Sequence, residues 1–426
     1  MSSHLSQHRP PFLSAFLDEH AWYTRRRFLS LGLGGAIASG LWPAFLAGKD
    51  LSPECARACA EMLKKLEYLT PQDKFGNVSR GNPRPYALAE AKKREVGLVP
   101  QTWKVEVVPD RETGAVVDNP LTLDWAGLMK LARTHAVSFP KIMTCNNIGR
   151  PLGMGIWEGV PLRKVIWQAR PKSKIRRVFY HGYHNDDPRQ MFRSSLPIGR
   201  VLEDPLGLPP VILCYKLNGQ LLHSERGGPV RVVVPEAYGF KSIKWLNKVV
   251  LTNLAGANDT YAEKDNDIDS WMKTFAGILS APEKVEAGQA IPVTGYAQVG
   301  ISGLTRVQTW ISPAKDTWPE DDPYFTRAPW KEAEILPAPT KWGGGLPDNR
   351  LPDHLLGFDP RTHRPRDWPL LLSMVHWAAA LPGLKPGKYI LRARTIDRQG
   401  YAQPMPRPFR KSGRNAIEER TIIVEA

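Results

Sequence analysis

Residues 211–217 read Val-Ile-Leu-Cys-Tyr-Lys-Leu, and Asn218-Gly219 follows at once before the chain turns back through residues 220–222. This segment limits the possible folds most sharply. A mainly apolar run that stops on Asn-Gly predicts a strand, a type I′ turn and a returning strand. That turn needs positive φ at both central positions, which Asn and Gly tolerate best. The chain must therefore contain antiparallel sheet, and its 39 prolines and 35 glycines also favour strands and long loops over a helix bundle.

Further strands are expected over 103–108, 137–145, 231–234 and 243–251. Helical patterning is expected over 52–67, 121–133 and 162–170. In the first helix Ser52 is placed to cap and Pro53 to take the first turn. Cys55, Cys59, Met62 and Leu66 share one face, which reads as core packing, because an i,i+4 disulfide on a helix is strained. Near residue 283 the pattern changes to short strands between Pro- and Gly-rich loops, at 290–297, 304–311, 387–396 and 419–424. This suggests a β-sandwich of immunoglobulin type. A long Trp- and Pro-rich insertion occupies 312–370. The predicted class is α+β, with an N-terminal region 1–50, a first domain 51–282 and a second domain 283–426.

Residues 24–30 read Thr-Arg-Arg-Arg-Phe-Leu-Ser, ahead of an uncharged Gly- and Ala-rich run. Twin arginines before a mildly apolar stretch resemble a twin-arginine (Tat) export signal. The expected location is periplasmic, or membrane-associated if the segment stays attached. Tat carries folded proteins, so the signal itself hints at a cofactor inserted before export.

The chain of 426 residues is 42% hydrophobic and 23% charged, a globular composition. Its formal charge of +16 suits an anionic substrate or an acidic partner. No nucleic-acid motif accompanies it. The four cysteines, Cys55, Cys59, Cys145 and Cys214, form neither zinc-type pairs nor a haem-attachment motif.

Cys145 ends the apolar stretch 137–145 and enters the loop Asn146-Asn147-Ile148-Gly149-Arg150-Pro151. Trp157-Glu158-Gly159-Val160-Pro161 comes next, then the Asn-Gly hairpin. After it come Arg226-Gly227-Gly228-Pro229-Val230-Arg231 and Lys241-Ser242-Ile243-Lys244-Trp245. In this order and spacing the series resembles the sulfite oxidase family of molybdenum enzymes. Gly295-Tyr296-Ala297, Arg392-Ala393-Arg394, Asp397 and Gln403-Pro404 resemble that family's C-terminal immunoglobulin-like dimerisation domain. The resemblance runs from about residue 70 to the end.

It implies a molybdenum cofactor (Mo-molybdopterin), with Cys145 as the thiolate on the metal; a soft thiolate suits molybdenum. It implies that Arg80, Asn82, Arg231, Lys241, Ser242 and Lys244 hold the pterin and its phosphate. Asn82 stands where relatives place a histidine. Tyr261, Arg80, Arg150 and Arg414 are the expected catalytic groups, donating to a substrate oxyanion. The chain departs from the family after Cys145, at Ile148 and in loop length, which leaves the substrate open.

The expected activity is oxidation of sulfite or a related sulfur anion by oxo transfer. With no haem segment in the sequence, electrons would pass to an external carrier such as a cytochrome c. A homodimer through the second domain is also implied. The alternatives are an S-oxide reductase of the methionine sulfoxide type, a sulfane dehydrogenase subunit, and a metal-free binding protein that reuses the fold.

Overall fold

Asn218 and Gly219 adopt φ of 52° and 76°, the positive pair that a type I′ turn demands. They join β7 (Ile212–Leu217) to β8 (Gln220–Leu221). The Asn218 side chain fixes the turn from outside: Nδ2 donates to the Thr70 and Gly344 carbonyls, both at 2.9 Å.

A computed structural model describes residues 53–172, 174–257 and 259–426. The twin-arginine segment, Ser52 and the first fifty residues lie outside the described residues. The described residues form a single unit, and three sheets build it.

The hairpin belongs to a sheet ordered β3 (Val137–Thr144), β4 (Pro151–Pro161), β7, β8, with β9 (Arg231–Val233) paired to β7. Phe139 faces Trp157 across β3–β4, and Cys214 faces Arg231 across β7–β9. A second sheet is ordered β2 (Leu121–Asp124), β1 (Lys104–Pro109), β10 (Leu246–Thr252), β5 (Arg177–Gly182), β6 (Arg193–Pro197). Its β1–β10 pair is parallel, with Glu106 beside Lys248. One apolar core lies between these sheets, built on Trp103, Ile142, Ile156, Leu213, Val232 and Val249.

The expected helix over 121–133 is instead a strand followed by a helix, Trp125–His135. Leu121 and Leu123 alternate with polar residues as a strand does. Asp124 then accepts the Gly127 amide at 2.8 Å and starts the helix there. The expected helix at 162–170 tightens after Ile166 into a 3-10 turn that ends on Arg170 in the left-handed region.

The third sheet forms the C-terminal half. Its strands run β11 (Phe275–Ser280), β13 (Ile291–Gln298), β16 (Met374–Leu381), β15 (Lys331–Ile335), β14 (Arg306–Pro313), β17 (Gly387–Ile396), β18 (Glu418–Glu425), β12 (Lys284–Glu286). β15 pairs with both β14 and β16, so the ribbon folds over there into two facing layers. Ile278, Val293, Val307, Trp377, Leu391 and Ile422 fill the space between them. The α+β class with a sandwich-like second half is thus the observed architecture. β11 already belongs to this sheet, ahead of residue 283.

The 312–370 insertion is divided: it gives β15 to the sandwich, and its later part leaves it. Trp342, Leu346, Leu355, Phe358 and Leu370 join the core of the first half. Leu69 donates to the Trp342 carbonyl and Leu356 to that of Ser138, both at 2.9 Å.

Candidate active site

β3 carries an almost wholly buried sequence up to Thr144, and the chain leaves the sheet at Cys145. The exit is held from the sandwich side. The Thr144 hydroxyl donates to Gln298 Oε1, and Gln298 Nε2 donates to the Lys273 carbonyl at 2.8 Å. The Asn146 carbonyl accepts the Gly413 amide at 3.1 Å. Cys145 Sγ donates to Asn147 Oδ1 at 2.7 Å. Burial pushes the thiol above its ordinary range, while the amides of Asn147 and Asn146 and the charge of Lys411 pull the other way.

Cys145 opens onto a cavity of about 120 Å³. Trp157, Met143 and Arg231 supply its floor from the hairpin sheet. Residues 75, 76, 78–80, 152, 184, 192, 239, 240, 242–245 and 261 supply its walls. Among the described residues the lining contains Arg80, Arg226, Arg231 and Lys244 but no carboxylate.

These cations are held firmly and are poorly compensated. Arg231 donates to the Arg226 carbonyl (2.7 Å) and the Ser242 carbonyl (2.5 Å) and lies over the Trp157 ring. Arg226 donates to the Phe75 carbonyl at 2.7 Å and to Glu225. Lys244 Nζ donates to Asn77 Oδ1 and Ser79 Oγ, each at 3.0 Å, and to the Glu225 carbonyl at 2.7 Å. Burial first, then the neighbouring guanidinium of Arg226, brings Arg231 down to about 10. Burial and the charges of Arg231 and Arg226 hold the Lys244 ammonium well below the usual lysine range. The Nε atoms of Arg226 and Arg231 are buried without a hydrogen-bond partner. Spare donors and clustered positive charge around a cavity suit an anionic, phosphate-bearing ligand. With the Cys145 thiol at the same cavity, the donor set fits a molybdenum–molybdopterin cofactor.

Of the residues singled out from sequence, Cys145, Tyr261, Arg80, Arg231, Ser242 and Lys244 line this cavity. Arg80 lies over the Phe192 ring at 4.5 Å. Tyr261 stacks on Phe240, with centroids 4.0 Å apart and planes 9° apart. Asn82 is not in the lining; its carbonyl accepts Asn185 Nδ2 at 3.4 Å near the surface. Lys241 is also outside it, because its ammonium turns into the core and pairs with Asp259 at 3.3 Å. Arg150 and Arg414 are exposed. They come from two loops that meet, since a Cβ on Gly149 would lie 4.0 Å from the Arg414 Cβ.

Two groups were not predicted from sequence. His184 enters the cavity from the end of β5. Its Nδ1 bonds the Gly182 carbonyl at 2.9 Å; a carbonyl can only accept, so Nδ1 carries the proton and Nε2 is an acceptor. Burial, together with the charges of Arg80 and Lys244, brings the ring down to about 4, so it stays neutral. Nothing in the run His181-Gly182-Tyr183-His184 announces this. Lys411 arrives on the loop that also bonds Asn146, and its ammonium sits 5.9 Å from the Tyr261 ring centre. Only the fold brings residue 411 beside residue 145.

Residues 93–259 match the family model described as an oxidoreductase molybdopterin binding domain. The chain is 26% identical over 245 residues to a nitrate reductase [NADPH] of Neurospora crassa, covering 51% of this chain and 23% of that one. It is 28% identical over 256 residues to the protein-methionine-sulfoxide reductase catalytic subunit MsrP of Ralstonia nicotianae, covering 55% and 71%. It is 28% identical over 151 residues to the mitochondrial sulfite oxidase of Drosophila melanogaster, covering 34% and 24%. The chain thus spans about a quarter of the nitrate reductase and of the sulfite oxidase. The solved sulfane dehydrogenase SoxCD of Paracoccus pantotrophus shares the fold, with a TM-score of 0.53 at 18% identity over 77% of this chain and 79% of that one. A molybdopterin-binding domain over residues 93–259, with these relatives, supports a molybdopterin oxidoreductase of the sulfite oxidase family.

Proposed function

We propose that the chain oxidises a small sulfur oxyanion, sulfite first, and gives the electrons to an external carrier such as a cytochrome c. One observation carries this reading: among the described residues the cavity beside Cys145 is lined by four cations and no carboxylate, with Lys411 added near Tyr261. Net conversion of sulfite to sulfate takes one oxygen from water and releases two protons and two electrons. The bound cofactor supplies that two-electron oxo-transfer chemistry.

In this reading Cys145 gives the thiolate that holds molybdenum, and Arg226, Arg231 and Lys244 hold the cofactor's anionic end. Ser242 serves that end from the other side of Arg231: its carbonyl accepts the guanidinium, while its hydroxyl accepts the Val234 amide at 3.1 Å. His184 offers a neutral acceptor. Arg80 and Lys411 hold the substrate's negative charge. The Tyr261 phenol donates to a substrate oxygen. Burial first, then the Cys145 charge, raises its pKa, so it remains a donor at neutral pH. Walls of Phe75, Trp157, Phe192, Phe240 and Trp245 exclude bulk water and strengthen each of these contacts.

A second reading, reduction of an S-oxide, is favoured by the similarity to MsrP across 71% of that protein's length. A neutral sulfoxide could accept hydrogen bonds from Arg80 or Lys411 but would leave their charge unneutralised, which is why oxidation of an anion ranks first. Export through the twin-arginine segment and a homodimer through the sandwich belong to the same proposal; among the described residues no helix is long and apolar enough to cross a membrane. The test is sulfite-dependent reduction of ferricyanide by cofactor-loaded protein. Saturable reduction is expected. Its absence in molybdenum-containing protein that instead consumes a methyl sulfoxide with a reduced dye would establish the second reading.

A further inference from the structure

Directly behind the cavity wall lies a buried charge pair that touches no ligand space. Lys241 and Asp259 have side chains 1% exposed and meet at 3.3 Å. Replacing such a pair by apolar residues is often neutral or stabilising, so its presence is weak evidence for a purely stabilising role. Its hydrogen bonds show what it does hold.

Asp259 divides its two oxygens. Oδ2 receives Lys241 Nζ and the Ser195 hydroxyl at 3.0 Å. Oδ1 accepts the backbone amides of Tyr261 (3.1 Å) and Ala262 (3.0 Å), at the start of the short turn Ala262–Lys264. The carboxylate thus ties the turn that carries Tyr261 to the core. Lys241 is itself fixed. Its ammonium donates to the Ser195 carbonyl at 2.9 Å, and its own carbonyl accepts the Tyr180 hydroxyl at 2.9 Å.

The neighbouring residue completes the clamp. Phe240 precedes Lys241 in the Gly239–Lys241 turn and stacks face to face on the Tyr261 ring. Phe192 meets that ring edge-on at 5.5 Å, and Arg80 lies over Phe192. Residues 240 and 241 therefore hold both the ring and the backbone of Tyr261, one directly and one through Asp259.

We infer that Lys241 and Asp259 form a positioning pair that sets where the Tyr261 phenol points into the cavity. The inference rests on the reading in which that phenol serves substrate. Neither residue is catalytic, since neither reaches the cavity. A pair placed for stability alone has no need to bond the two amides of the turn that bears the one tyrosine in the lining.

The test labels position 261 with 3-fluorotyrosine in the full chain and records its fluorine NMR line, which needs no turnover. The parent and Lys241→Arg, which keeps the pair, should each give one sharp line at the same shift. Asp259→Asn should shift and broaden it. So should the double change Lys241→Met with Asp259→Leu, which removes both charges of the pair, leaves Arg177 with Asp269 as its acidic neighbour and its bonds to Ser195, and decides the matter if Asp259→Asn fails to fold. In cofactor-loaded protein kcat should fall roughly tenfold or more with KM little changed, as expected of a misplaced group. A parent-like line in the folded double variant would overturn the inference. Full turnover in Tyr261→Phe would instead overturn the catalytic reading of Tyr261, while the line changes would still establish the positioning.

Discussion

Lys141 shows how a single residue in this fold responds to burial. It is fully buried on β3, four residues before Cys145, and donates to the carbonyls of Ile142 (3.0 Å) and Ala237 (3.1 Å). Burial pushes its ammonium down to about 7. The unfolded chain keeps an ordinary lysine there. Between about pH 7 and the usual lysine range the unfolded state therefore binds the extra proton, and stability rises with pH. Urea unfolding of the cofactor-free protein should show this rise, and Lys141→Met should make it less steep, with Lys244 keeping part of it. An equal slope in both proteins would assign the effect elsewhere. Cys145, Arg231 and Lys244, whose local motifs are dense, do meet at one cavity. Lys241 shares the Lys-Ser-Ile-Lys motif with Lys244, yet its side chain turns the other way, into the Asp259 pair, and spacing alone does not encode that choice. His184 reaches the cavity, and Lys411 the Tyr261 ring, through tertiary approach, and neither leaves a local trace.

Among the elements, β4 shows why some strands were not predicted. It is eleven residues long and contains Gly153, Gly155 and Gly159, a composition that argues against a strand. The glycines are there because neighbouring backbone and rings come too close for a Cβ. One added at Gly159 would lie 2.4 Å from the Leu213 carbonyl oxygen across the β4–β7 pair. One added at Gly153 would meet the Phe75 ring at 2.7 Å. Gly159→Ala should therefore cost about 1–3 kcal/mol through overpacking, read as a lower urea midpoint at unchanged slope. An unchanged midpoint would mean that the strands can separate there without cost. Strands with clear apolar runs or turn signals, such as β3, β7 and β17, fall close to where the sequence puts them. The 121–133 segment did not, because the cap at Asp124 divides one apolar pattern into two elements.

At the scale of the whole molecule, the two halves share the site. The first supplies Cys145 and the cationic cavity. The second buttresses Thr144 through Gln298, bonds Asn146 through Gly413 and contributes Lys411. The 342–370 part of the insertion seals the first core rather than extending the sandwich. A sequence read in linear order separates these pieces, since contacts such as Thr144 with Gln298 join positions far apart in the chain. The central claim is that Cys145 holds the metal of the cofactor bound in this cavity. Molybdenum K-edge X-ray absorption on the parent and on Cys145→Ser, both expressed with a full cofactor supply, tests it most directly. The account predicts bound molybdenum in the parent and the loss of one sulfur neighbour, or of the metal itself, in the variant. The same sulfur count and the same molybdenum content in both proteins would contradict it.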